Sequence, residues 1–455
     1  MRPDVRHPLL SVEDLRRQVA HGDIDTVVVA ITDMQGRLQG KRLHAQYFLD
    51  VVLDEATEGC NYLLAVDVDM NTVDGYAMSS WASGYGDFVM RPDLTTLRHL
   101  PWHPGSALVL ADLEWEDGSP VVASPRQILA RQTARLADAG LAAFVGTELE
   151  FLLFRDTYEA AWDAGYRRLT PANQYNVDYS LLGTARVEPL LRRIRNEMTS
   201  AGLVVESAKG ECNLGQHEIA FRYAEAQAAC DGHVIYKNGA KEIAAQAGMA
   251  LTFMAKFDER EGNSCHIHCS FRGTDGSMVM ADGAGMSALG KSYVAGQLRY
   301  MRELTLFLAP TINSYKRYVE GSFAPTAMRW GRDNRTCAFR LVGHGPSLRL
   351  ENRIPGGDVN PYLATAAVVA AGLAGIEQEL ELEPAFEGNA YGDPDAAHVP
   401  ASLAEALDLW QGSAFARTTF GDDVVDHYAN MAAVELAAFG RSVTDWERIR
   451  GFERL

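Results

Sequence analysis

The sequence predicts an α+β fold, with a small mixed domain over residues 1–112 and a larger one over 113–455. Two patterns predict it. Strand-like and helix-like stretches interleave without strict βαβ spacing, which disfavours a doubly wound parallel sheet. Several strand-like stretches place charged residues at every second position, so one face of each carries the charge. Size adds a bound: 455 residues, 47% hydrophobic and 22% charged, have ordinary globular composition and length for two or more domains.

The first element is the β-rich run 25–33, closed by the turn signal Met34-Gln35-Gly36 and followed by an alternating return over 37–43. A hairpin is expected there. A short helix, the apolar segment 62–68 and the stretch 86–112 complete the first domain. The Gly-, Ser- and Asp-rich stretch 74–85 reads as a loop long enough to act outside its own domain. Helical spacing then predicts helices over 125–140, 185–202, 226–249 and 286–309. Strands are expected over 144–154, 203–207, 250–257, 265–271, 337–342 and 348–354, and the C-terminal region reads as helical.

No run of about 18 apolar residues exists and the charged N-terminus lacks an apolar signal core, so a cytoplasmic protein is expected. The six cysteines have no C-x-x-C spacing and read as reduced thiols. A net charge of −18 argues against nucleic acid as the partner.

The chemistry concentrates in four stretches. Glu148 and Glu150 share one face of the strand 144–154, where two carboxylates are costly unless paired or bound to cations. Glu211 and Glu218 flank a turn at Gly215. His266, His268 and Ser270 share a face of the next strand. Arg349, Glu351 and Arg353 alternate on the last, with Arg340 on the strand before it, and guanidinium forks there suit phosphate oxygens. Residues 285–292 match the G-x-x-x-x-G-K-S phosphate-loop pattern, but no long apolar strand precedes them and helical spacing begins near Ser287, before the Lys-Ser pair.

Taken in order, Gly-Thr-Glu148-Leu-Glu150-Phe, Glu211 through Gly-Gln-His-Glu218, His266-Ile-His268, Asn313-Ser-Tyr-Lys-Arg317, Arg332-Asp-Asn-Arg335, Arg349-Leu-Glu351-Asn-Arg353, Asn360-Pro-Tyr-Leu and Thr444-Asp-Trp-Glu447 resemble the signatures of the glutamine synthetase family along nearly the whole chain. The resemblance implies an N-terminal β-grasp domain and a catalytic domain whose curved antiparallel sheet forms a half-barrel site. It implies two or more divalent cations, Mg²⁺ or Mn²⁺, one held by Glu150, Glu211 and Glu218 and another by Glu148, His266 and Glu351. It implies ATP as co-substrate, with Arg335, Arg340 and Arg349 over its phosphates and His268 and Ser270 also in contact with it. L-Glutamate would meet Arg317 and Arg353, beside Glu150 and Gly262. Arg335, Arg353 and Arg317 would be the catalytic arginines. Family members form hexameric rings, often stacked into dodecamers with sites shared between subunits, which would give the loop 74–85 its role.

One departure redirects the functional reading. Ammonia-using members carry a flap glutamate where this chain has Phe323, within Asn313-Ser-Tyr-Lys-Arg-Tyr-Val-Glu320-Gly-Ser-Phe323-Ala-Pro. A phenyl ring neither accepts a proton nor attracts ammonium. The chain therefore resembles the γ-glutamyl amine ligases of the family, which join glutamate to polyamines, ethanolamine or other small amines through a γ-glutamyl phosphate. Phe323, with Glu320 nearby, is expected to set the amine. Glutamine synthesis from ammonia and a non-catalytic ring of the same fold are the alternatives.

Overall fold

The computed structural model describes residues 9–283 and 285–455. The first domain is built on β1 (Thr26–Thr32), β2 (Leu38–His44), β3 (Thr57–Cys60), β4 (Asp87–Pro92), β5 (Arg98–His99) and β6 (Ser106–Glu114). They form one sheet in the order β2-β1-β6-β4-β3, with β5 also on β6. β1 runs parallel to β6, and its other neighbour is the hairpin partner β2. The expected hairpin turn is present: the Asp33 carboxylate accepts the amides of Gln35 and Arg37, and Gly36 takes φ +78° to close it. β6 continues to Glu114, two residues past the boundary read from sequence.

The second sheet holds the long strand β7 (Leu141–Phe154), β8 (Val205–Gly210), β9 (Gln216–Phe221), β10 (Ala224–Glu225), β11 (Ala250–Thr252), β12 (Cys265–Gly273) and, after the small hairpin β13 (Ala281–Asp282) and β14 (Gly285–Met286), β15 (Trp330–Arg332), β16 (Phe339–Val342) and β17 (Arg349–Asn352). Its order is β15-β16-β17-β12-β7-β9-β8, with β10 and β11 also on β7. All its pairs are antiparallel except β15 with β16. β7 organises this sheet because its fourteen residues pair with β12 over the first part and with β9 and β11 over the second. The helices Pro125–Asp138 and Ala226–Gln246 pack against β7. Behind them the helix Pro361–Glu377 is buried over almost its whole length, as an all-apolar helix must be.

The two sheets are tied by one buried cation. The guanidinium of Arg126, on the helix Pro125–Asp138, reaches Asp93 and Asp112 of the first domain at 2.5 and 2.7 Å and Asp231 of the second at 3.0 Å. Asp231 also accepts the Tyr362 hydroxyl at 2.6 Å.

Most elements lie where the sequence puts them. The helix expected over 286–309 is instead broken into Ala288–Tyr300 and Thr305–Leu308. At the break the Thr305 hydroxyl bonds the carbonyls of Met301 and Arg302, competing with the helical ladder. Glu218 lies within β9, where no strand is expected from the sequence, because the turn at Asn213–Gly215 is tight and the strand starts at Gln216. The phosphate-loop pattern is structural: Ser287 caps the helix Ala288–Tyr300, and the Ser292 hydroxyl is spent on the Leu380 carbonyl. The start of the loop 74–85 is docked on its own chain, where Asn430 donates to the Asp74 carbonyl and Tyr76 packs on His427. Its tip exposes Trp81.

Candidate active site

Strand register assembles the charged residues into two rows that cross the second sheet. In the first, Lys209 on β8 faces Glu218 on β9, which faces Glu150 on β7. In the second, His268 on β12 faces Glu351 on β17, which faces Arg340 on β16. Glu148 and His266, opposite each other on β7 and β12, lie between the rows. Period-two alternation puts all of them on one face, and the apolar alternates Leu149, Phe151, Cys265, Ile267 and Cys269 enter the core.

This face lines a cavity of about 310 Å³. All six residues expected to hold cations border it: Glu148, Glu150, Glu211, Glu218, His266 and Glu351. So do Arg335, Arg340, Arg353, Gly262 and Phe323. Glu150, Glu211 and Glu218 bring carboxylate oxygens within 4.8 Å of one another, the cluster expected from sequence. Around Glu148 and Glu351 both histidines converge. His266 Nδ1 lies 3.2 Å from Glu148 and 3.3 Å from Glu351, and His268 Nε2 lies 2.9 Å from Glu148. Arg349 donates to His268 Nδ1, so Nε2 carries the ring proton and donates to the carboxylate.

The charges act on one another. Burial together with the charges of Glu148 and Glu150 pushes the Glu218 carboxyl up to about 8, against the opposing pull of Lys209. Burial also acts on Glu148, but hydrogen bonds from His266 and His268 outweigh it and hold that group well below the usual carboxylate range. Glu351 is fully buried and bonded by Arg340 at 2.9 Å and by Arg353. A set of five carboxylates and an imidazole on one wall, with one acid driven toward its neutral form by burial and its neighbours, has the donor chemistry of a hard divalent-cation site.

Other expected residues stand back from the cavity. Arg317 is 1% exposed and lies behind Gly262, donating to the Ile354 carbonyl at 2.8 Å and the Ser264 hydroxyl at 3.2 Å. The Ser264 amide in turn donates to Glu150 at 2.6 Å, so Arg317 braces the wall it was expected to project from. Ser270 continues the His266–His268 face toward the far end of β12, opposite Phe144, and Arg349 sits at the start of β17. Glu320 is exposed and does not border the cavity, while Phe323 does. Phe323 takes φ +58° and its carbonyl accepts Arg353 Nη2 at 3.1 Å, and the next carbonyl, of Ala324, accepts the Tyr391 hydroxyl at 3.0 Å.

The sequence reading missed Lys209, Asp178, Tyr179, Cys212, Gln216 and Ser322, which also line the cavity. Lys209 was within reach, since it precedes Glu211 by two and shares its face. Asp178 and Tyr179 come from a connection whose sequence gives no sign of where it packs.

The catalytic-domain model of glutamine synthetase matches residues 122–450. The chain belongs to the glutamine synthetase family. It is 68% identical to a γ-glutamylethanolamide synthetase of Streptomyces coelicolor, over 99% of this chain and 97% of that one. It is 36% identical to a glutamate–isopropylamine ligase of a Pseudomonas species, over 99% of both. A solved GmaS–ADP complex matches with a TM-score of 0.85 at 27% identity, covering 97% of this chain and 99% of that one. The fold expected from the resemblance is borne out. Among the described residues no helix is long and apolar enough to cross a membrane.

Proposed function

We propose that this chain joins the γ-carboxylate of L-glutamate to ethanolamine at the expense of ATP. The broader statement is firm: the chain is a glutamate–amine ligase, as the sequence reading expected. The choice of ethanolamine rests on the 68% identity to the γ-glutamylethanolamide synthetase, extending over 99% of the chain. Phe323 on the cavity wall supports an organic amine over ammonium, because an apolar ring there favours carbon and offers no charge.

A carboxylate resists attack by amines because its oxygen is a poor leaving group. In the proposed reaction a γ-carboxylate oxygen attacks the γ-phosphorus of ATP, ADP leaves, and γ-glutamyl phosphate forms. The amine nitrogen then attacks the acyl carbon, phosphate leaves, and the nitrogen loses its extra proton. Two divalent cations, Mg²⁺ or Mn²⁺, would be held by Glu150, Glu211 and Glu218 and by Glu148, His266 and Glu351, and when bound would neutralise phosphoryl charge. His268 and the Arg349 that bonds it are assigned to the nucleotide, with Ser270 beyond them. Arg335 and Arg340 are assigned to the transferring phosphoryl group, and Arg353, oriented by Glu351, to the glutamate γ-carboxylate. For Arg317 we revise the expectation: its burial supports a role in fixing Gly262, Ser264 and through them Glu150, rather than direct contact with glutamate. We further infer a cytoplasmic, ring-shaped homo-oligomer, in which the exposed tip of the loop 74–85 is free to meet a neighbour.

The test is phosphate release with ATP, glutamate and a panel of ethanolamine, methylamine, a diamine and ammonia. Ethanolamine should give the highest kcat/KM. Equal or better turnover of ammonia points to glutamine synthesis instead, and no release with any amine points to a non-catalytic ring.

A further inference from the structure

Each carboxylate row in the site ends in a basic residue, and the two are held differently. Arg340 closes the row through Glu351 and is also anchored by Asp333 outside it. Lys209 closes the row through Glu218 and Glu150, and its ammonium is bonded to Glu211 and lies 3.6 Å from Glu218. These are two of the three carboxylates assigned above to one cation. The Lys209 side chain is 25% exposed, while Glu211 and Glu218 are 12% and 7% exposed, so the lysine is the most open member of the group. It also lies 5.2 Å from the centre of the exposed Tyr179 ring. Asp178, exposed beside it, brings a carboxylate oxygen within 4.8 Å of one on Glu211.

We propose that Lys209 is the resident counter-cation of the Glu150–Glu211–Glu218 cluster, occupying it until a divalent cation displaces the ammonium toward Tyr179 and Asp178. The inference rests on the two-cation reading given above. An ammonium and a divalent ion cannot both lie against Glu211 and Glu218 without strong repulsion. The lysine stem is flexible and its charge compact, so it can swing aside, and an aromatic face with a carboxylate next to it is a suitable place for it to go. One consequence follows: the site binds its cation more weakly than three carboxylates alone would.

The experiment is a direct titration of the full-length protein with Mn²⁺, free of ATP and glutamate, reading free Mn²⁺ by electron paramagnetic resonance. The wild type should show two sites. Lys209→Met should tighten one site at least tenfold and leave the other unchanged, and Lys209→Arg should match the wild type. Tyr179→Leu, on an exposed side chain, should weaken a few-fold the site that Lys209→Met tightens, by removing the seat of the displaced ammonium. Unchanged or weaker binding in Lys209→Met overturns the role given to the lysine while the two sites of the wild type stand. A wild type that takes up no Mn²⁺ overturns the cation reading and the lysine's role with it.

Discussion

Replacing Phe323 by glutamate tests where amine choice resides. The backbone at 323 is left-handed in either case, so one L side chain replaces another at φ +58° without a new conformational cost. The side chain is 56% exposed, so global stability should change by no more than about 0.5 kcal/mol. A new carboxylate at about 4 Å from a protonated amine is worth about 4 kcal/mol at an effective dielectric of 20, and solvent at so exposed a position reduces that to about 1 kcal/mol. Ammonium and ethanolamine share this gain, since both are cations. They differ in the two methylenes of ethanolamine, each worth about 0.8 kcal/mol when buried against an apolar wall and less when half covered. Loss of the phenyl ring should therefore shift the ratio of kcat/KM for ammonia over ethanolamine upward by about tenfold, near 1.4 kcal/mol. Steady-state phosphate release with each amine measures it. A ratio that stays within twofold of the wild type would refute the assignment of specificity to this side chain.

Three further outcomes are expected. Glu148→Ala and Glu211→Ala should each lower phosphate release by about a thousandfold with every amine, since each removes a charge that the transition state needs organised, and circular dichroism should show the fold retained. Arg126→Met should cost about 3–5 kcal/mol in urea unfolding, because it strands Asp93, Asp112 and Asp231 without their shared cation. Acid should destabilise the protein through His217 and His427, whose pKa values burial depresses to about 4. The unfolded imidazoles take up protons near 6.5 and the folded ones near 4, so stability is full above that window and falls as pH drops through it, by up to about 3 kcal/mol per group. A flat unfolding free energy between pH 7 and 5 would count against this.

Glu148, Glu150, His266 and His268 were legible because alternation within one strand decides the face a side chain takes, and that needs no knowledge of neighbours. The two cross-strand rows were not, since the pairing of Lys209 with Glu218 and of His268 with Glu351 depends on register between distant segments. Arg317 shows the limit of motif reading: its position in the pattern said that it belonged to the site, but not that its guanidinium would be consumed by Ile354 and Ser264. The break after Tyr300 was missed for a local reason, as apolar periodicity runs through a hydroxyl that bonds its own backbone.

The contact between Arg353 and the flap is made to the carbonyl of Phe323, and Tyr391 holds the carbonyl of Ala324. Neither grip depends on which side chains the flap carries. Docking of the flap and choice of nucleophile are thus separable properties of one short segment, and a single codon at position 323 can be exchanged without loosening the contacts that hold it. A scaffold of this kind can change its amine in small steps while the machinery that activates glutamate stays untouched.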